Sequence, residues 1–165
     1  MPNQYLLDTN ILITSFRRTY PFDIAPGFWD YLIEKGREGI IVISEPIKQE
    51  IYKNDDELSK WLKSNESNFS SVQASDPLVI QKYKQIINLL QKDSRYYESA
   101  KREFASSADS WLIAIALAYN FTIVTEETYN HNGHNKVKIP NECKRNGIVY
   151  INTTEFMRVT NFLWR

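Results

Sequence analysis

The strongest constraint in this sequence is the alternation of short apolar runs with segments of helical spacing. The runs are Tyr5-Leu6-Leu7, which stops at Asp8, then Gly39-Ile40-Ile41-Val42-Ile43, Phe121-Thr122-Ile123-Val124-Thr125 and Gly147-Ile148-Val149-Tyr150-Ile151. The second is continuous and β-branched, the pattern of a strand buried on both faces of a parallel sheet. Strands that alternate with helices predict a mostly parallel central sheet covered by helices on both faces, an α/β three-layer sandwich. At 165 residues the chain is expected to form a single domain spanning 1–165, with enough length to bury a sizeable core.

The helical segments carry their own punctuation. Ile11, Leu12, Ile13 and Phe16 have helical spacing, and Pro21 ends that helix. Pro26 opens a second helix through Phe28, Trp29, Leu32 and Ile33, closed by Gly36 and Gly39. Ser44 is expected to cap a third, which has Pro46 in its first turn and carries Ile47, Glu50 and Ile51. Leu58, Trp61 and Leu62 mark a surface helix within residues 53–68, and residues 69–74 read as a short strand. Asp76-Pro77 starts a long helix, and residues 96–104 form another short one. The run Trp111 to Ala118 is apolar all round, so its helix should be buried on most sides. Residues 128–147, rich in Asn, Gly, Lys and His, read as a long mobile loop. Thr153 or Thr154 is expected to cap a final helix through Phe156, Met157 and Phe162.

Composition narrows the function. Twenty basic and twenty acidic residues cancel, so nucleic-acid binding would require a local basic patch. Cys143 is the only cysteine, which excludes an internal disulfide and fits a reducing compartment. No stretch approaches the roughly 20 apolar residues needed to span a bilayer. Asp8 and Asn10 interrupt any secretory-type apolar core, so a cytoplasmic protein with no membrane partner is expected.

Four acids occupy informative positions. Asp8 ends the first strand, Glu50 lies on the helix after the second, Asp109 begins the apolar helix, and Glu127 follows the third strand beside Glu126. Parallel strands send their carboxyl ends to one edge of the sheet, where such folds place ligands. Asp8, Glu127 and the helix after Ser44 can meet there, whereas Asp109 needs its preceding loop to bring it over. Several carboxylates packed together repel one another and raise each other's pKa. A divalent cation relieves that conflict, and oxygen-only ligands suit Mg²⁺ or Mn²⁺ better than zinc. Such an ion lowers the pKa of bound water and stabilises charge on a phosphate, which points to phosphodiester hydrolysis.

The chain resembles the PIN-domain ribonucleases found as toxins in bacterial and archaeal toxin–antitoxin pairs. The matching residues are Leu7-Asp8-Thr9-Asn10, Glu50, Ala108-Asp109 and Val124-Thr125-Glu126-Glu127, in an order covering nearly the whole chain. The resemblance implies acids that bind Mg²⁺ or Mn²⁺ and activate water to cut single-stranded RNA. It also implies a protein antitoxin and a homodimer. Asp8, Glu50 and Asp109 correspond to the first three acids. The family has Asp two residues after the threonine, where this chain has Glu127, so Glu126 and Glu127 are alternatives for the fourth acid. Asn10 and Thr125 match residues that orient the acids. The tail with Lys138-Ile139-Pro140 and Cys143 is similar to a less characterised PIN-like branch.

Each of these residues also has an ordinary reading. Asp8 caps a helix in one, Asp109 is a helix-start acid favoured by the dipole in another, and Glu50 and Glu126 are solvated. Arg17, Arg18, Lys101 and Arg102, with Lys136 and Lys138, are candidate phosphate contacts or a solvated mixed-charge surface. Tyr96 and Tyr97 are candidates to stack on bases or to pack. His131, His134 and Cys143 lack a clear fourth partner for zinc. No Gly-x-Gly-x-x-Gly or Gly-x-x-x-x-Gly-Lys stretch supports dinucleotide or P-loop chemistry. The alternative to a nuclease is a catalytically weak or inactive PIN-like module that binds RNA or a protein.

Overall fold

The computed structural model describes residues 3–164. Its sheet has four strands, β1 (Tyr5–Leu7), β2 (Ile41–Val42), β3 (Thr122–Val124) and β4 (Tyr150–Ile151), in the order β2-β1-β3-β4. All pairs are parallel: Leu6 lies opposite both Val42 and Ile123, and Val124 lies opposite Ile151. Leu6, Leu7, Ile41, Val42, Ile123 and Val124 are fully buried, which is why these runs carry no polar alternation. The expected α/β layering with helices flanking a parallel sheet is what the chain adopts.

The helices are α1 (Thr9–Thr14), α2 (Pro26–Arg37), α3 (Glu45–Tyr52), α4 (Glu57–Asn65), α5 (Pro77–Gln91), α6 (Glu98–Ser106), α7 (Ala108–Tyr119), α8 (Ile139–Asn146) and α9 (Thr153–Val159). α1 runs on as a π-helical turn over Ser15–Thr19. The apolar α7 is the hub of one group: α3, α5, α6 and α8 all pack on it, so Leu112 to Ala116 have no solvent-facing side to make polar. Tyr83 of α5 stacks on Trp111 at 4.1 Å between ring centroids. The second group is aromatic. Trp29 of α2 meets Trp61 of α4 edge-on at 4.8 Å, and Phe156 of α9 meets Tyr5 of β1 at 5.1 Å.

Several details depart from the sequence expectation. Residues 128–147 are not a loop throughout, because 139–146 form α8, with Pro140 in its first turn and Gly147 in the left-handed conformation (φ 69°) ending it. The helix was obscured by its polar middle, although Ile139 and Cys143 are four apart and both fully buried. Residues 69–74 form no strand; Ser70 makes a single parallel bridge to Val42, and Val72 accepts from the Glu45 amide at 3.0 Å. Ser44 stands at the start of α3 but its hydroxyl is buried without a partner and caps nothing. Neither Thr153 nor Thr154 caps α9; Asn152 does, accepting from the Glu155 amide at 2.8 Å while Glu155 reaches back to the Asn152 amide. Phe162 lies beyond that helix and packs on Tyr31 at 4.5 Å.

Gly36 does not end α2 but lies inside it, where a Cβ would come within 2.6 Å of the Phe69 ring and 2.7 Å of the Asn68 carbonyl oxygen. Alanine would gain about 1 kcal/mol of helix propensity. A backbone oxygen cannot rotate aside, and overpacking of this kind costs about 1–3 kcal/mol. Gly36→Ala should therefore lower the urea midpoint, by up to about 2 kcal/mol in unfolding free energy. An unchanged or raised midpoint would show that the 66–69 turn shifts freely.

Candidate active site

Asp8 follows β1 directly, and the ladder carries one residue past the strands: the Asp8 amide donates to the Val124 carbonyl at 3.0 Å. Its neighbour in space, Thr125, is tied in the same way, its amide donating to the Ile151 carbonyl at 2.9 Å. Both backbones are thus held at the carboxyl edge of the sheet, and both side chains are buried, Asp8 being 1% exposed. The Thr125 hydroxyl donates to Asp8 Oδ2 at 3.0 Å while its oxygen accepts from the Glu127 amide at 3.1 Å. Thr125 therefore fixes both the orientation of Asp8 and the turn that carries Glu127.

Burial pushes the Asp8 carboxyl up from its ordinary 3.8 to about 7, and the charges of Asp109 and Glu127 push in the same direction. Thr125 and the Asn10 amide oppose the rise without reversing it. Asp109, in the first turn of α7, is pushed up to about 6 by burial and by the charges of Glu127 and Glu50, against the pull of Lys136 and Lys138. The four acids from four separate elements thus share one electrostatic neighbourhood. Asp109 reaches it because α7 runs back antiparallel to the strand it precedes, so its amino end lies at the carboxyl edge.

The outer two acids are engaged elsewhere through one oxygen each. Glu50 Oε2 accepts from the buried Thr9 hydroxyl at 2.8 Å, and Glu127 Oε2 accepts from the Ile139 amide at 2.8 Å. Among the described residues no group of three or more His, Cys, Asp or Glu side chains is gathered closely enough to hold a metal ion as the side chains stand. The donor set still fits a hard divalent cation. It is all oxygen, burial and neighbouring acids hold the buried Asp8 and half-buried Asp109 carboxyls above their ordinary pKa, and Glu50 and Glu127 each keep a second oxygen.

Other sequence candidates fall into place or out of it. Glu126 points away, with Oε1 accepting from the Thr153 amide at 2.9 Å at the start of α9. Lys101 is 3% exposed, and its ammonium donates to the Gln91 carbonyl and to Glu98, both at 3.1 Å, so it joins α6 to the end of α5 and is not open to a phosphate. Its place on the buried face of α6, beside Ala100 and Phe104, is the physical reason. Arg17, Arg18, Arg102 and Asn10 are exposed. Tyr96 is buried, whereas Tyr97 is exposed. His134 Nδ1 lies 2.7 Å from the Arg95 carbonyl oxygen, and Cys143 is fully buried, which pushes its thiol pKa up. The contact between Thr9 and Glu50 had no sequence signal beyond the adjacency of Thr9 to Asp8.

A carboxyl with its pKa raised in the fold stays protonated while its unfolded counterpart ionises. Between pH about 4 and about 7 Asp8 therefore weakens the metal-free protein progressively, and above that the loss is complete. Asp8→Asn keeps an oxygen for Thr125 and removes the charge. In EDTA its stability advantage over the unsubstituted protein should grow from near zero at pH 4 to about 2–4 kcal/mol at pH 8 in thermal or urea unfolding. A pH-independent difference would contradict the crowded-acid account.

The geometry has solved counterparts. A chain of the VapBC2 complex from Rickettsia felis bound to a DNA fragment from its promoter superposes with a TM-score of 0.56 at 16% identity, covering 90% of this chain and 97% of that one. A chain of DNA-bound VapBC from Salmonella typhimurium gives 0.55 at 16% identity, covering 91% and 98%. These likenesses establish the shared PIN-like fold. No curated protein matches the sequence. A family model described as a domain of unknown function, DUF4411, matches residues 5–163, and the chain belongs to that family.

Proposed function

We propose that this protein is a metal-dependent endoribonuclease that hydrolyses phosphodiester bonds of single-stranded RNA. In this reading Asp8 and Asp109 are the inner ligands of Mg²⁺ or Mn²⁺, with Glu50 and Glu127 completing the site. The observation that carries it is the buried Asp8 carboxylate, held at the sheet edge by Thr125 and surrounded by acids instead of counter-charges. A structural acid so placed would normally have an Arg or Lys partner, because an unpaired buried charge is costly.

When bound, the ion supplies an acidified water and stabilises charge on the phosphate. The chain's own residues do the rest. Thr125 keeps Asp8 oriented, and Thr9 holds Glu50 at the rim. The oxygens of Glu50 and Glu127 that Thr9 and the Ile139 amide leave over are the groups to take a proton from the attacking water. Glu127 is the fourth acid in this reading, since it acts on both Asp8 and Asp109 whereas Glu126 serves α9. The likeness of fold to chains of two VapBC complexes supports a toxin held by a protein antitoxin, and the same proposal has it act in the cytoplasm as a homodimer.

Purified protein should cleave single-stranded RNA in Mn²⁺ or Mg²⁺ and lose that activity in excess EDTA. Asp8→Asn and Asp109→Asn should each reduce the rate by about a hundredfold or more while the fold is kept. Glu127→Gln should lower it by about tenfold or more and Glu126→Gln by less than about threefold. RNA or protein binding with no metal-dependent cleavage would instead identify a binding module and overturn the nuclease reading.

A further inference from the structure

Resting on the nuclease reading, one group beside the acids is left without a role. The segment 128–138 is a fixed strap, in contrast to the mobile loop its composition suggests. Glu127 closes it through the Ile139 amide, twelve residues on. Asn130 and Asn141 exchange two bonds, the Asn141 side chain accepting from the Asn130 amide at 2.9 Å and donating to the Asn130 carbonyl at 2.8 Å. The His134 carbonyl accepts from the Tyr97 amide at 3.1 Å, while the His134 ring meets the Arg95 carbonyl. Val137 is buried. Lys136 therefore sits on a pinned backbone, one residue before Val137, yet its side chain is 54% exposed and its ammonium lies 4.0 Å from Glu127 Oε1. It lines the same small cavity as Ser107 and Asp109.

We propose that Lys136 contacts the substrate phosphate at this acidic site, and that in the substrate-free protein its ammonium is docked on the Glu127 carboxylate that the divalent cation requires. As a structural ion pair the contact explains little. It is long and half-exposed, so it adds little to stability, and backbone bonds already hold the strap. As a substrate contact it answers a charge problem. One divalent ion leaves four carboxylates in excess by two charges, and a phosphodiester brings another negative charge to the same cleft. A cation on the wall offsets that repulsion. Lys101, another candidate lysine for a phosphate, is buried and bonded to the Gln91 carbonyl and Glu98. Lys136 and Lys138 are the cations that act on Asp109.

The two roles pull in opposite directions when Lys136 is removed, which separates them from mere packing. Mn²⁺ affinity is read by electron paramagnetic resonance on the whole protein, and KM and kcat by cleavage of a fluorescein-labelled, mixed-sequence single-stranded RNA in Mn²⁺. Lys136→Met should bind Mn²⁺ about two- to fivefold more tightly, because the competing ammonium is gone, and raise KM about three- to tenfold with kcat little changed. Lys136→Arg should restore KM. Tighter Mn²⁺ binding with an unaltered KM, or no change in either, overturns the assignment. An unsubstituted protein that neither binds Mn²⁺ nor cleaves RNA overturns the nuclease reading itself, and with it this inference.

Discussion

The structure depends on a buried carboxylate that has no cation of its own. Asp8 lies where β1 stops, with its backbone fixed to β3 and its side chain held by Thr125, so it can neither swing into solvent nor reach a basic partner. The same parallel pairing that buries Leu6 and Leu7 delivers Thr125 and Glu127 beside it from β3. The buried α7, packed on by α3, α5, α6 and α8, brings Asp109 near enough for its charge to act on Asp8. The apolar core is thus the scaffold that forces acids together against their mutual repulsion. In the proposed nuclease reading a divalent ion offsets that cost.

The outer half of the site is built differently. Glu127 has one methylene more than the aspartate of the resembled family. It accepts from the Ile139 amide through one oxygen and leaves the other facing Lys136. Glu50 is likewise shared with Thr9. Asp8 and Asp109 sit at the ends of β1 and α7, whereas Glu50 and Glu127 are each bonded at the rim through one oxygen. α8 belongs to this arrangement: its first amide binds Glu127, and Arg145 in its last turn bonds Asp93 at 2.6 Å and Glu142 at 3.1 Å, tying it to the α5–α6 connection.

Much of this was legible in the sequence, for physical reasons that also explain what was not. The strands announced themselves because burial on both faces leaves a run such as Ile41-Val42-Ile43 wholly apolar. α7 did so because it has no solvent side. α8 is short and mostly polar, so Asn, Glu, Lys and Arg outweighed the Pro140 and Gly147 stops at its ends. Ser44 caps nothing and Asn152 takes the place expected of Thr153 or Thr154, because capping depends on a side chain's rotamer and neighbours as well as its type. Lys101 read as a surface cation, but a long stem packed beside Ala100 and Phe104 carries its ammonium to the Gln91 carbonyl. Adjacent glutamates are indistinguishable by type, and only the separate destinations at Ile139 and Thr153 tell Glu127 from Glu126.

In the proposed nuclease reading the acids at the sheet edge share a divalent ion. A crystal soaked in Mn²⁺ and measured at the manganese absorption edge should then show an anomalous peak about 2 Å from carboxylate oxygens of Asp8 and Asp109, with Glu127 or Glu50 turned toward it. A saturating soak that leaves Asp8 and Asp109 without an anomalous peak between them would contradict it.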